Sequence, residues 1–318
     1  MSMRISSNQM YTNGIDGILK LQSDLYTTQN QIDTGRRIVT PKDDPVGAAQ
    51  ALMVSQSLSV NDLYIKNQGT ATDKLNNLDS TLSSVNDQLQ SIYSSAVAAG
   101  NGAYSDADRA AIATQLKAGL ANLVALGNSQ DGTGRYIFAG FKSTTPPFAV
   151  TANTTPFSLA NPYVAYSGDD GVQTLQVDAS TNLPTSEPGS QVFMRIQDAS
   201  GNVTGRSVFD AVQNMINYLN TPGGTASSAT YTTALKDISD SISSISRERS
   251  AVGASLNSLT NMGTVAADRK LQYQTQLSSL QDVDMAQALS SVSKQQLQLQ
   301  ASQATFAAVS KLSLFNYI

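Results

Sequence analysis

Two pairs of adjacent carboxylates are the residues of this sequence whose type and spacing could do chemistry. Asp43 and Asp44 precede Pro45, and Asp169 and Asp170 lie in the stretch Ser-Gly-Asp-Asp-Gly. Paired carboxylates can share a proton in acid–base work or hold a cation. No third ligand lies near the first pair, and the second lacks the twelve-residue spacing of a calcium loop. We therefore predict no metal site and no catalytic site at either pair.

Composition excludes most other catalytic designs. The 318 residues include no Cys and no His, so the chain has no Ser-His-Asp triad, no Cys nucleophile, no His base and no Cys/His zinc site. The enzyme alternative is a carboxylate or Ser/Lys hydrolase in the middle of the chain, which replacement of Asp169 and Asp170 would test. No convergent set of residues supports it, and we predict that the protein is not an enzyme and has no cofactor.

The charge and hydropathy of the chain limit the classes of partner that it can bind. Its net charge is -4 and charged residues make up 14%, which provides no strong field for nucleic acid. No run of about 18 apolar residues is present, so we expect no insertion into a membrane. The first residues also lack the apolar core of a cleaved signal peptide.

The first carboxylate pair has a structural explanation. Proline is favoured at the first position of a helix, and an Asp before it caps the free backbone amides. Asp43, Asp44 and Pro45 therefore predict a helix cap. The carboxylate that does not cap can accept a hydrogen bond from the preceding loop or pair with Arg36 or Arg37.

A seven-residue apolar period marks both ends of the chain. Its members are Tyr11, Ile18, Leu25 and Ile32 near the start and Met285, Val292, Leu299 and Phe306 near the end. This period is typical of coiled coils. The polar faces carry Gln, Ser and Asn rather than Lys and Arg, which favours partner helices over a lipid surface. We predict that the eight residues form an assembly interface, in which the two ends pair and neighbouring subunits bury the remaining faces.

Long amphipathic helices flank an irregular middle. One begins at Pro45 and reaches about Ala99 if Gly69 does not break it, a shorter one follows Ser105, and another begins near Tyr231. Residues 136–139 read as a strand, and short β-like runs with one helix follow. The fold is predicted to be mainly α, a long antiparallel coiled-coil helical rod made from both ends with a small β-rich middle domain inserted. The predicted boundaries are 1–42, 43–139, 140–228, 229–284 and 285–318.

Several ordered motifs resemble one protein family. They are MRISSNQM, IDTGRRIVTPKDDPVGAAQAL, GRYIFAGFKSTTPPF, RSAVGASLNSL and the closing stretch from QDVDMAQALSS to LSLFNYI. Together they resemble the flagellin family and, within it, the hook–filament junction proteins of the FlgL type (hook-associated protein 3). The ending LSLFNYI differs from the Leu-Leu-Arg-type tail of flagellins, although flagellin itself stays the alternative.

The resemblance implies a structural role outside the cell. Such a protein forms a homo-oligomeric ring between the first hook-associated junction protein and the flagellin filament, and templates flagellin polymerisation. It leaves the cell unfolded through the flagellar export channel without a cleaved signal peptide, and an export chaperone binds its C-terminal helix.

A third hypothesis, a surface-binding adhesin, would rest on residues 140–228 and would be tested with glycan-binding assays.

Overall fold

The computed structural model describes residues 7–153, 157–198, 200–224, 226 and 228–311. The opening MRIS and the closing LSLFNYI of the motifs fall wholly or mainly outside them. The described helices are α1 Ser7–Thr34, α2 Pro45–Ala99, α3 Asp106–Gly127, α4 Gly189–Val192, α5 Val208–Leu219, α6 Ala229–Gln281 and α7 Met285–Lys311. The strands are β1 Phe148–Val150, β2 Val164–Tyr166, β3 Thr174–Asp178 and β4 Thr181–Pro184. The prediction of a mainly α fold is confirmed.

The two longest helices run without a break. Helix α2 has 55 residues and α6 has 53, or about 80 Å each at 1.5 Å per residue. The expected weak point at Gly69 does not interrupt α2, and Gly263 does not interrupt α6. A glycine inside a helix lowers helix stability by about 1 kcal/mol relative to alanine. This loss is too small to interrupt a helix of 53 or 55 residues.

Helix α3 begins as its sequence predicts and packs as a core helix. Ser105 and Asp108 form a reciprocal capping box, in which the Ser105 side chain accepts from the Asp108 N–H and the Asp108 carboxylate accepts from the Ser105 N–H. Among the described helices, α3 alone is long and apolar enough to cross a membrane. Its apolar stripe, which includes Leu116, Leu120 and Leu123, is buried inside the protein, as expected for a helix of a folded core.

The chain divides into two compact units. The terminal unit comprises the residues up to Asp62 and from Asp268 onward, and the central unit comprises Leu63–Ala267. Helices α2 and α6 contribute residues to both units. The five domain boundaries derived from the sequence stay predictions.

An extensive hydrophobic core fills the central unit. Four aromatic side chains, Phe138, Phe148, Phe193 and Phe209, are almost completely buried there, and their ring centroids lie 5.0–5.6 Å apart along the cluster. The apolar stripes of α2, α3, α5 and α6 join the same core. Arg249 interrupts the α6 stripe because its Nε lies 3.0 Å from the Asp79 carboxylate of α2, so this position forms an ion pair between the helices.

The middle region has two small antiparallel sheets, in which β1 pairs with β2 and β3 with β4. The strand predicted over residues 136–139 is wrong. Tyr136 forms an isolated bridge with Gln130, and the carbonyl of Phe138 accepts from the Gly189 N–H and the Tyr166 hydroxyl instead of a neighbouring strand. The apolar run has the composition of a strand because its side chains are buried, but its backbone follows a turn.

The only two glutamates of the sequence give a stability prediction. Burial raises the pKa of Glu187, and the negative charge of Glu248 raises it further. Burial also raises the pKa of Glu248. Because the raised pKa disfavours ionisation in the folded state, stability falls as the pH rises from the ordinary value of 4.5 through the raised values.

We expect Glu248→Gln to raise the melting temperature at pH 7 by about 1–2 °C. The neutral amide removes one of two partly buried like charges without changing the size of the side chain. Thermal melts at pH 7 and below pH 4.5 check this, with exposed Asp73→Asn as the charge-matched control. An equal gain at both pH values, or in the control, would contradict the electrostatic explanation.

Candidate assembly interface

Helices α1 and α7 pack against each other within the terminal unit. The less exposed positions of α1 follow alternating steps of four and three residues: Gly14, Ile18, Leu21, Leu25, Thr28 and Ile32. Those of α7 follow the same steps: Ala288, Val292, Gln295, Leu299, Ser302 and Phe306. This spacing keeps one side of each helix turned toward its partner, as in a coiled coil.

Phe306 closes one end of this helix pair. Its ring meets the ring of Tyr11 edge-on, with centroids 4.8 Å apart. A Cβ atom on Gly14 would lie 2.7 Å from the ring, so glycine permits the close approach of the two helices. The contact joins two of the residues that the seven-residue period singles out.

The eight predicted interface residues fall into two groups. Six are partly buried along the α1–α7 pair: Ile18, Leu25, Ile32, Val292, Leu299 and Phe306. Tyr11 and Met285 are 48% and 45% exposed. Even the six retain solvent-accessible surface, because two helices cover only one side of each other.

Further apolar residues of the terminal unit are exposed and lie outside the eight predicted interface residues. On α1 and α7 they include Ile15, Leu19, Tyr26, Leu289 and Leu297. On α2 they are Val46, Met53 and Val60, spaced seven apart, together with Leu52. The α2 spacing is visible in the sequence and indicates a second apolar helical face in the terminal unit.

The two units differ sharply in how many of their hydrophobic side chains are exposed and how many are buried. Among the described residues, 15 of the 23 exposed large hydrophobic residues belong to the terminal unit, but only three of the 39 buried hydrophobic residues do: Ile38, Ala51 and Ala288. A unit with this balance has little core of its own. A concentration of exposed apolar side chains of this kind indicates an interaction site.

The two carboxylates at the start of α2 accept hydrogen bonds, one from the preceding loop and one from the first turn of the helix. Oδ1 of Asp44 accepts from the Gly47 N–H at 2.9 Å in the first turn, with Pro45 at the first helical position. Oδ2 of Asp43 accepts from the N–H groups of Val39 and Thr40 at 3.1 and 2.7 Å. Within the described residues no cluster of acidic side chains is arranged to hold a metal.

Arg37 ties this loop to the junction between α6 and α7. Its guanidinium lies 3.3 Å from the Asp44 carboxylate and donates to the Leu280 carbonyl at 2.9 Å. Its backbone N–H donates to the Gln281 carbonyl, and the Val283 N–H donates to the Gly35 carbonyl. Gly35 adopts a φ of +69°, a conformation that favours glycine. The two links that lead into α1 and α7 are therefore held side by side.

Removing the α2 cap should loosen the first turn of that helix. The Gly47 amide, followed by Arg37, lowers the pKa of Asp44. The stabilisation is therefore present above the unfolded pKa of 3.8 and is lost as the pH falls through the lower folded value. We expect Asp44→Ala to speed hydrogen exchange of the Gly47 amide at pH 7. Asp44→Asn, which can still cap, is the matched control, and equal acceleration in both variants would contradict the capping role.

The second carboxylate pair also has structural partners. Oδ1 of Asp169 accepts from the Phe141 N–H at 2.7 Å and the Gly171 N–H at 2.9 Å, and these bonds lower its pKa. Asp170 accepts from the Ser190 hydroxyl. The stretch lies between β2 and β3, which belong to different sheets, so it connects two sheets and is not a hairpin turn.

Comparison with known proteins identifies the family. Residues 5–143 match the family model of the bacterial flagellin N-terminal helical region, and residues 235–318 match that of the C-terminal helical region. Flagellar hook-associated protein 3 of Salmonella typhimurium is 33% identical over 98% of this chain and 99% of its own length, as is that of Escherichia coli. The chain belongs to the flagellar hook-associated protein 3 family.

Flagellins match this member of the family less well. B-type flagellin of Pseudomonas aeruginosa is 28% identical over 51% of the chain, and the flagellin of Listeria innocua is 21% identical over 94%. The predicted resemblance to hook-associated protein 3 is therefore confirmed over the flagellin alternative. The chain is a component of the bacterial flagellum.

Solved structures of the family share the fold. FlgL of Xanthomonas campestris superposes with a TM-score of 0.59 and 21% identity, covering 71% of this chain and 99% of the other. The flagellar junction protein FlgL of Legionella pneumophila gives 0.60 and 20%, covering 74% and 100%. Both therefore agree with the helical architecture of this hook-associated protein 3 family member.

Proposed function

We propose that this chain is a structural subunit of the junction between hook and filament, where copies of it form a ring that templates flagellin polymerisation. The observation that carries the proposal is the concentration of exposed apolar side chains on the terminal unit, which has almost no buried core. Such a surface is stable in water only when other helices cover it. The names of the relatives, hook-associated protein 3 and flagellar junction protein, indicate where those helices belong.

The α1–α7 pair is the assembly element in this proposal. The pair buries one side of each helix within the subunit and leaves Ile15, Leu19, Leu289 and Leu297 exposed for neighbouring subunits. Each large apolar side chain that becomes fully buried contributes about 1.5–3 kcal/mol. A few such contacts per subunit offset the ordering of the two helices.

The partners follow from the position in the flagellum. One end of the ring contacts the first hook-associated junction protein, and the other contacts flagellin. Before assembly, an export chaperone covers the C-terminal helix α7. The protein acts by assembly and not as an enzyme, and it leaves the cell without a cleaved signal peptide. The absence of Cys suits a chain that is exported unfolded, because no disulfide can form beforehand.

Deletion of the gene in its own host tests the function. We expect the mutant to secrete flagellin monomers into the medium and to carry hooks without filaments, since flagellin would lack its template. Immunoblots of the culture supernatant and electron microscopy of the cells measure both effects, and complementation with the wild-type chain is the control. Normal filaments on the deletion strain would overturn the proposal.

A further inference from the structure

A pocket of about 450 Å³ with both polar and apolar lining lies in the central unit, apart from the assembly element. Helix α2 provides Lys74 and Asn77, the turn after α3 provides Arg135 and Tyr136, and the ends of the β3–β4 hairpin provide Gln173 and Ser186. Its volume lies within the range of about 300–1,000 Å³ that is usual for small-molecule sites.

Several hydrogen-bond donors of this pocket have no acceptor among the described residues. Lys74 Nζ donates once, to Gln173 Oε1 at 3.0 Å, and an ammonium has three donors. The Ser186 hydroxyl accepts from the Gln173 N–H at 2.9 Å, which leaves its own hydrogen available among the described residues. The Arg135 guanidinium and the Tyr136 hydroxyl have no acceptor in the described part of the chain. The pocket therefore favours a ligand rich in acceptors.

The two cations of the pocket have one carboxylate near them, Asp131, whose pKa is lowered in part by the charge of Arg135. Within the described residues, neither Lys74 nor Arg135 forms a salt bridge, although the whole chain has 24 acidic residues for 20 basic ones. Asp131 lines the pocket, but its Oδ1 already accepts from the N–H groups of Thr133 and Arg135 and from the Thr133 hydroxyl at 2.6–3.0 Å. The pocket therefore carries two positive charges and one negative charge, and this net positive charge favours a ligand anion.

We propose that this pocket binds a carboxylated sugar of the hexuronate class. The carboxylate lies between Lys74 and Arg135, where charge-assisted hydrogen bonds are strongest. A carboxylate alone would leave most of the 450 Å³ empty. The ring hydroxyls of a sugar fill the remainder and meet Tyr136, Asn77 and the buried Ser186, while Ile137 provides an apolar wall.

Titration calorimetry of the full chain with sodium D-glucuronate tests the proposal, with D-glucose and sodium acetate as comparison probes. We expect saturable binding of glucuronate that is at least tenfold tighter than that of either comparison probe. Arg135→Gln should weaken it about tenfold, because a charge-assisted hydrogen bond to the carboxylate is lost. The charge-matched control is Arg195→Gln, since Arg195 is exposed, bonds Gln191 and lies outside the pocket.

Four outcomes would overturn the assignment. They are the absence of saturable glucuronate binding by the wild-type chain, equal binding of glucose, equal binding of acetate, and equal weakening by Arg135→Gln and Arg195→Gln. Tighter binding of a tetra-aspartate peptide would assign the pocket to an acidic protein segment instead.

Tyr136→Phe, which removes one hydroxyl, should weaken glucuronate binding severalfold while leaving the thermal melt unchanged. Filament assembly by the Arg135→Gln variant should stay normal, which separates this test from that of the proposed function.

Discussion

Replacing Leu299 and Phe306 together by alanine is expected to abolish assembly of the junction while leaving the central unit folded. Both side chains are partly buried along the α1–α7 pair, and Phe306 contacts the Tyr11 ring. If assembly buries both side chains fully, their truncation removes about 3–6 kcal/mol of apolar burial per subunit. Because every subunit of a ring carries the same change, the loss is repeated around the whole assembly.

Complementation of the deletion strain with this double variant measures the effect. We expect flagellin in the medium and no filaments, as in the deletion strain itself. The purified monomer should keep the melting transition of its central unit, which contains neither residue. Val203→Ala removes an exposed apolar side chain from the central unit and is the matched control. Restored filaments in the double variant, or global unfolding of its monomer, would contradict the assignment of α1 and α7.

The second large effect is expected at Phe209, whose truncation to alanine should destabilise the monomer itself. Its ring is fully buried, stacks on Phe193 with centroids 5.6 Å apart and lies 5.2 Å from Phe148. Truncation of a buried phenylalanine costs about 3–5 kcal/mol, because transfer energy is lost and a cavity remains. For a unit of this size the melting temperature should fall by roughly 6–20 °C.

Differential scanning calorimetry of the monomer checks this expectation. The control is Phe141→Ala, since Phe141 belongs to the same unit but is 67% exposed, and its melting temperature should change by less than about 2 °C. A melting temperature of the Phe209 variant within 2 °C of the wild type would show that this aromatic cluster does not stabilise the unit. Phe209 is thus expected to affect the stability of the monomer, whereas Phe306 is expected to affect assembly.

The helices were predictable because their signals are local. Pro45 and Ser105 mark helix starts, and the apolar period persists across Gly69 and Gly263. Helices α2, α3 and α6 therefore begin close to their predicted positions, and α2 also ends at Ala99 as predicted. The seven-residue period also predicts that the two ends of the chain pair, and α1 and α7 pack against each other. These features depend on residues within a few turns of one another, which a sequence displays directly.

The rest depended on contacts between distant residues. Phe138 lies in a strand-like run, yet its carbonyl is satisfied by Gly189 and Tyr166, and nothing in residues 136–139 indicates those partners. The Arg37 contact with the Leu280 carbonyl spans 243 positions. The exposed seam of Val46, Met53 and Val60 was overlooked for another reason: its spacing is local, but only the structure shows that no other part of the described chain covers it.

The scarcity of charge on α7 has a consequence for the environments in which the flagellum works. Lys294 and Lys311 are the only charged residues of this helix, and the whole chain has no histidine. Contacts made by such a helix are neither screened by sodium chloride nor switched between pH 5 and 8. Apolar contacts do weaken on cooling and strengthen in sulfate. We therefore expect the contacts of α7 to persist between fresh and brackish water and to weaken on chilling.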